Sequence, residues 1–80
     1  MNPITTARQI GASLQGRRKH LKLSQAEVAS RLGLSQNRLS ELEADPGTLT
    51  VEQLLALVNA LGLELRLGDR ASGGKSKVEW

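Results

Sequence analysis

The sequence predicts a small all-α domain of four helices that ends in one short β-strand. Its apolar residues are mostly aliphatic, with 15 Leu, 8 Ala and no Phe or Tyr, and Leu and Ala lose little rotamer entropy in helices. Ser or Thr caps repeatedly precede segments with helical spacing, whereas strict alternation occurs near the C-terminus. Because 80 residues support one core, we expect one domain at residues 1–68 and a flexible basic tail at 69–80.

The first two helices begin at capping boxes. Thr6 and Gln9 form the first box, and the helix that follows ends in a basic run. Ser24 and Glu27 form the second box, so a helix should begin directly after Ser24. Gly33 follows the last apolar position of that helix, where a left-handed residue usually closes the helix.

The last two helices are also bounded by caps and turns. Ser35 is a cap without the box, and an Asp-Pro-Gly turn indicates that its helix ends near Ala44. Thr50 and Gln53 form a third capping box, and Gly62 closes the fourth helix. Residues 63–67 then alternate Leu with Glu and Arg, which predicts a five-residue strand.

The charge is distributed unevenly along the chain. The formal net charge of +3 combines +5 in residues 1–26, −4 in residues 27–69 and +2 in residues 70–80. A basic first quarter indicates a positively charged surface suited to a polyanion. An ordinary solvated face remains the alternative.

Several classes of protein are disfavoured by what the sequence lacks. It has no Cys and one His, so it offers no disulfide framework, thiolate nucleophile or cluster of metal ligands. We therefore expect no enzyme activity, no metal and no cofactor. No signal peptide or membrane-spanning segment is expected, and the predicted location is the cytoplasm.

The two middle helices follow the spacing of a helix-turn-helix. Counting from Gln25, a small Ala29 is fifth, Gly33 is ninth, and Leu39 and Leu42 are fifteenth and eighteenth. The small residue permits the helices to cross, the Gly permits the turn, and the second helix can then enter the DNA major groove. A purely structural helical hairpin would need similar residue types and stays open at this point.

Residues 10–62 resemble the Xre, lambda-repressor and Cro family of helix-turn-helix DNA-binding domains. The segment LSQAEVASRLGLSQNRLSELE and the later run NALG carry the resemblance. It implies a four-helix lambda-repressor-like domain that binds DNA, and an architectural ion pair between Arg18 and Glu43. If partly exposed, that pair should contribute about 1 kcal/mol or less.

The run LSELEADPGTLTVEQLLALVNALGLELRL, with a Ser/Gly/Lys tail ending in Trp, is similar to the HipB-type antitoxins. This resemblance implies a homodimeric repressor that binds a palindromic double-stranded operator and autoregulates its operon, at the nucleoid in the bacterial cytoplasm. It also implies that the protein belongs to a HipBA-like toxin–antitoxin system and neutralises a HipA-like kinase toxin. A phage-type or restriction-control repressor would need no toxin partner. A pure protein-interaction inhibitor would not use the DNA-facing surface.

The polar face of the third helix is expected to meet DNA. Gln36 and Asn37 suit adenine, which their amides can contact bidentately, although either could instead contact only backbone phosphate. Arg38 could reach guanine or phosphate, and its position near the flank of the helix favours phosphate. Gln25 resembles the phosphate-binding glutamine of the family, and Glu41 is expected at the rim because its carboxylate would repel phosphate. The expected DNA contacts are Arg17, Lys19, Gln25, Ser35, Gln36, Asn37, Arg38 and Ser40.

The strand at residues 63–67 needs a partner, because an isolated strand cannot satisfy its own ladder hydrogen bonds. Antiparallel pairing with a second copy about Leu65 would set Glu64 opposite Arg66 and Leu63 opposite Leu67. The alternative is that the strand packs on its own monomer and that any dimer forms through helices. Trp80, at the end of the tail, is interpreted as an anchor for the toxin, a degradation signal or an inert terminus.

Overall fold

The computed structural model describes residues 3–69 and shows an all-helical domain in that range. None of its helices is long and apolar enough to cross a membrane. A one-turn 3₁₀ helix joins the third and fourth α-helices. The elements in chain order are α1 (Ala7–His20), α2 (Gln25–Leu32), α3 (Gln36–Ala44), the 3₁₀ turn (Pro46–Thr48) and α4 (Val51–Ala60).

Each α-helix begins at the cap expected from the sequence. The capping boxes of α1, α2 and α4 are complete, with Thr6, Ser24 and Thr50 each accepting a backbone hydrogen bond from the third helical residue. The Ser35 hydroxyl likewise accepts from the Arg38 N–H at 3.0 Å. These contacts satisfy helix N–H groups that lack intrahelical partners.

Three helices end in the same hydrogen-bonded turn. After α2, Gly33 has φ 71° and the Leu34 N–H donates to the Ala29 carbonyl at 2.9 Å; Gly62, at φ 70°, closes α4 in the same way. These are Schellman-type ends, and both glycines were expected. After α1 the left-handed position is held by Lys22 at φ 59°, which the sequence did not indicate.

The core lies where α2 and α3 pack on each other, with α1 against α3 and α4 against α2. Val28 and Leu39 have no exposed surface. Leu32 and Leu34 are half-buried and pack at the edge of this core. The buried apolar residues are Leu14, Val28, Ala29, Leu39, Leu42, Leu57, Val58 and Leu61.

The predicted strand at residues 63–67 is not an element of the single chain, which has no strand anywhere in residues 3–69. Leu63 packs against the core, but Leu65 is 48% exposed and Leu67 is 95% exposed. Glu64 and Arg66 were expected to pair between two chains. In the single chain they form an exposed ion pair with each other, with 2.9 Å between Arg66 Nη2 and Glu64 Oε1. A strand ladder requires a second strand, so the shared sheet stays a prediction. Residues 70–80, which include Trp80 and nearly all of the expected tail, lie outside the described residues.

Candidate DNA-binding surface

The helix-turn-helix consists of α2, the turn at residues 33–35 and α3. Ala29 is 1% exposed, as a small residue at a helix crossing should be. Gly33 supplies the left-handed backbone of the turn, and Leu39 and Leu42 fix α3 to the core from one side. The crossing and the turn that the spacing predicted are therefore both present.

The opposite side of α3 is an exposed polar row. Because Leu39 and Leu42 point inward, helical periodicity turns the other side of α3 toward solvent. The Ser35 oxygen already caps α3, which leaves its O–H free to donate. The exposed residues of this row are Ser35, Gln36, Asn37, Ser40 and Glu41.

Arg38 is tied to Glu41 on the same helix. Its Nη1 donates to Glu41 Oε1 at 3.2 Å, and the two side chains are 41% and 68% exposed. The pair cancels the one positive charge of α3 and gives the acid in the exposed polar row a partner on its own helix. The i, i+3 spacing is a signal from which the sequence could have predicted this pair.

Arg18 and Glu43 form the ion pair that the family resemblance implied. Arg18 donates through Nε at 2.8 Å and Nη2 at 3.1 Å to the two carboxylate oxygens, and through Nη1 to the Leu23 carbonyl at 3.0 Å. The side chains are 9% and 6% exposed. The pair is thus buried, so the small contribution expected of a partly exposed pair does not apply.

Gln25 joins this buried pair. Its Nε2 donates to Glu43 Oε1 at 3.1 Å, which fixes the orientation of the amide, because a carboxylate offers no donor. One amide N–H of Gln25 is therefore engaged, and the second is free to donate to a phosphate. No sequence signal pointed to the contact between Gln25 and Glu43, since 18 positions separate them.

Some basic side chains at the end of α1 bind other protein groups, and others do not. Arg18 is neutralised by Glu43, and the Arg17 Nε donates to the Leu61 carbonyl at the end of α4 at 3.0 Å. Lys19 and Lys22 are exposed, and neither pairs with an acid among residues 3–69. Since Arg38 is paired with Glu41 and Glu43 with Arg18, α3 offers no unpaired cation, and the exposed bases around α1 and the following turn can attract a polyanion instead.

A family model described as helix-turn-helix matches residues 14–67. The chain is 39% identical over 61 residues to antitoxin HigA1 from two strains of Mycobacterium tuberculosis. That alignment covers 76% of this chain and 41% of the relatives, so the chain spans about two fifths of their length.

Solved structures share the fold of this chain. The structure of a HipB-O1-O2 complex superposes with a TM-score of 0.79 at 23% identity, covering 86% of this chain and 100% of that chain. A HipA-HipB-O2-O3 complex gives the same score and identity, with 86% and 97% covered. A substituted HipB in complex with an O2 20-mer also scores 0.79, at 25% identity, with 86% and 96% covered. With the family model matching more than half of the sequence, the chain belongs to the helix-turn-helix family of DNA-binding proteins.

Proposed function

We propose that this protein is a sequence-specific transcriptional repressor that acts as the antitoxin of a HipBA-like toxin–antitoxin system, represses its own operon and binds a kinase toxin. The observation that carries the proposal is the exposed polar row of α3, held on a packed helix-turn-helix in a domain that also exposes the bases Lys19 and Lys22. Polar groups that can contact base edges next to cations that can contact phosphate are what sequence-specific DNA binding requires.

Each proposed DNA contact is supported by the exposure or the hydrogen bonds of its side chain. Gln36 and Asn37 are exposed in the first turn of α3 and are proposed to contact adenine edges. Lys19 and the free N–H of Gln25 are proposed to contact phosphate. Ser35, Ser40 and Arg38 complete the proposed surface; Arg38 must leave Glu41 to reach a phosphate. Arg17, also expected at DNA, is considered separately below.

Two matched substitutions test this surface on the upstream DNA of the gene and on a random duplex. Gln36→Ala should lose about 1–3 kcal/mol on upstream DNA and little on random DNA, because a base contact is removed. Lys19→Ala should weaken both complexes alike and lower the slope of log affinity against log salt by about 1 per half-site. Equal losses for Gln36→Ala on both duplexes would exclude Gln36 from base contact.

A homodimer through residues 63–67 is the proposed assembly. Leu65 and Leu67 are large apolar side chains that the single chain leaves 48% and 95% exposed, which speaks against the strand packing on its own monomer. Pairing about Leu65 would cover Leu63, Leu65 and Leu67 of both chains and bring Glu64 opposite Arg66. Two half-sites of a palindrome could then be bound together.

Sedimentation of Leu65→Asp tests the shared sheet. Two carboxylates would face each other across the twofold axis, so this variant should be monomeric. Val51→Asp is the matched control, since it places the same charge on an apolar residue that is 70% exposed in α4, and it should stay dimeric. A folded, dimeric Leu65→Asp protein would contradict the shared sheet.

The toxin partner is supported by resemblance to HipB-type antitoxins and by relatives named as antitoxins. Isolation of the native complex from its host, followed by identification of the bound protein and DNA, tests both partners at once. Recovery of an operator without a toxin would favour a phage-type or restriction-control repressor. Recovery of a toxin that is not a HipA-like kinase would keep the antitoxin function and change its class.

The tail at residues 69–80 is proposed to contribute Trp80 to toxin binding or to degradation. Because Trp80 is the single Trp, its fluorescence reports on the tail without labelling. A shift of the emission maximum on addition of the toxin is expected for an anchor. An unchanged maximum would exclude the anchor, and the lifetime of a Trp80→Ala protein in cells then tests degradation.

A further inference from the structure

Arg17 connects the end of α1 to the end of α4. It lies in the last turn of α1, it is half-buried, and its Nε donates to the Leu61 carbonyl at 3.0 Å across 44 positions of sequence. Arg17 thus joins two helices through its side chain, although its type and position in the sequence had indicated a phosphate contact.

The carbonyl that Arg17 binds is one that α4 does not satisfy with its own side chains. The last carbonyls of a helix lack intrahelical donors and favour a nearby cation. The Gly62 and Leu63 N–H groups donate to Asn59 and Val58, and the last turn of α4 contains no basic residue. Arg17 therefore supplies from α1 the cation that α4 lacks at its C-terminus.

The same contact lies where residues 63–67 leave the domain. Leu61 is 1% exposed and Leu63 packs on the core, whereas Leu65 is 48% exposed and Leu67 is 95% exposed. The direction of the exposed segment is thus set between residues 61 and 63. A Cβ at Gly62 would lie 3.5 Å from Arg17 Nη2, so the guanidinium covers the turn as well as the carbonyl.

We infer that Arg17 is a positioning residue for dimerisation: its hydrogen bond to the Leu61 carbonyl fixes the direction in which residues 63–67 leave α4, so that they meet the same segment of a second copy. The inference rests on the proposed dimer and adds a residue outside the strand to it. It also separates the roles of two neighbouring bases, since Lys19 is exposed for phosphate while Arg17 is engaged with protein.

Charge-retaining and charge-removing variants of Arg17 test the inference in the full-length protein. Arg17→Lys keeps the positive charge but loses the Nε donor, and it should raise the dimer dissociation constant about tenfold, the effect of losing one hydrogen bond from a charged group. Arg8→Lys, the same change at the exposed start of α1, should leave the constant unaltered. Sedimentation measures both, well below the unfolding temperature.

DNA binding provides the readout that separates positioning from phosphate contact. On a random-sequence duplex, Arg17→Gln should keep the salt slope of wild type per bound protomer, whereas Lys19→Gln should lower it by about 1. Lys19→Gln should in turn leave the dimer dissociation constant unchanged. Substitution of Arg17 is therefore expected to change only the dimer dissociation constant, and substitution of Lys19 only the salt slope.

The variants of Leu65 and Arg17 together distinguish failure of the shared sheet from failure of the role of Arg17. If Leu65→Asp is monomeric and Arg17→Lys weakens the dimer, the inference holds. If Leu65→Asp is monomeric but Arg17→Lys dimerises like wild type, the shared sheet stands and the role of Arg17 is wrong. If Leu65→Asp remains a dimer, the proposed assembly fails and the inference fails with it. A lowered salt slope for Arg17→Gln with an unchanged dimer would identify Arg17 as a phosphate ligand instead.

Discussion

Lys22 closes α1 in a backbone conformation that suits glycine. Its φ is 59°, its N–H donates to the Lys19 carbonyl at 2.9 Å, and the next N–H donates to the Arg18 carbonyl at 3.0 Å. For a residue with a Cβ, the left-handed conformation costs roughly 1 kcal/mol of free energy. Lys22→Gly should therefore raise the free energy of unfolding by about 0.5–1 kcal/mol, measured by urea denaturation.

Lys22→Ala is the control for this prediction. It removes the same positive charge but keeps a Cβ, so it should not stabilise the protein. Equal stabilisation by Ala and Gly would mean that charge, and not backbone conformation, is responsible.

Glu27 should make the stability of α2 depend on pH. The Ser24 backbone N–H, at 2.9 Å, and the Ser24 side chain hold the pKa of Glu27 below its ordinary value of 4.5, with attraction from Arg31 adding to them. Because the folded-state pKa is the lower one, this stabilisation is complete above pH 4.5 and is lost as the pH falls through the folded-state pKa. Glu27→Gln keeps a hydrogen-bonding side chain but cannot titrate.

The difference in unfolding free energy between wild type and Glu27→Gln should thus shrink as the pH is lowered below 4.5. Urea unfolding at a series of pH values measures it. A difference that stays constant over that range would show that Glu27 has the same pKa in the folded and unfolded states.

At the scale of elements, Gly11 permits α1 to lie against the end of α3. A Cβ at Gly11 would come within 2.8 Å of the Glu43 carbonyl oxygen and 2.8 Å of Pro46 Cγ, so backbone would have to move. Gly11→Ala should lower the free energy of unfolding by about 1–3 kcal/mol. Gly16→Ala, in the same helix with nothing within 4 Å of the new Cβ, should instead raise it by about 0.5–1 kcal/mol. Stabilisation by both would contradict the close approach.

The helix boundaries were predictable because their causes are local. A cap at Ser24 or Thr50 acts on residues within one turn, and Gly33 needs no distant neighbour to adopt a left-handed backbone. The role of Gly11 depends on which element packs against α1, and no neighbouring residue indicates that. The strand at 63–67 depends on a second strand, so the alternation of Leu with Glu and Arg could identify the segment but not its partner.

At the scale of the whole molecule, the candidate site likewise combines features that have local causes with features that depend on residues distant in the sequence. Helical periodicity predicted that Gln36 and Asn37 would be exposed opposite Leu39, and they are. The contact of Gln25 with Glu43 was not foreseen, because it joins the start of α2 to the end of α3. A resemblance supplied the pairing of Arg18 with Glu43, but its burial follows from the packing of α1 against α3 and had to be observed.

The buried pair of Arg18 and Glu43 gives the prediction that links stability to DNA binding. Glu43→Ala should lower the free energy of unfolding by about 3–5 kcal/mol, because it leaves the Arg18 guanidinium buried without its partner. Glu41→Ala, which breaks the exposed pair with Arg38, should change it by less than about 1 kcal/mol.

Replacing both members of the buried pair separates its two roles. The double variant Arg18→Met, Glu43→Leu should recover most of the lost stability, since well-packed apolar residues often replace a buried ion pair without loss. It cannot recover the acceptor for Gln25, whose amide Glu43 orients. The double variant should therefore bind the operator less tightly than wild type even under conditions where the two proteins are equally stable. Gln25→Ala should weaken operator binding in wild type but have little effect in the double variant. The coupling is measured by urea unfolding and operator titration of four proteins: wild type, Gln25→Ala, the double variant, and the double variant with Gln25→Ala. Full operator affinity in the double variant would show that Gln25 needs no orientation by Glu43.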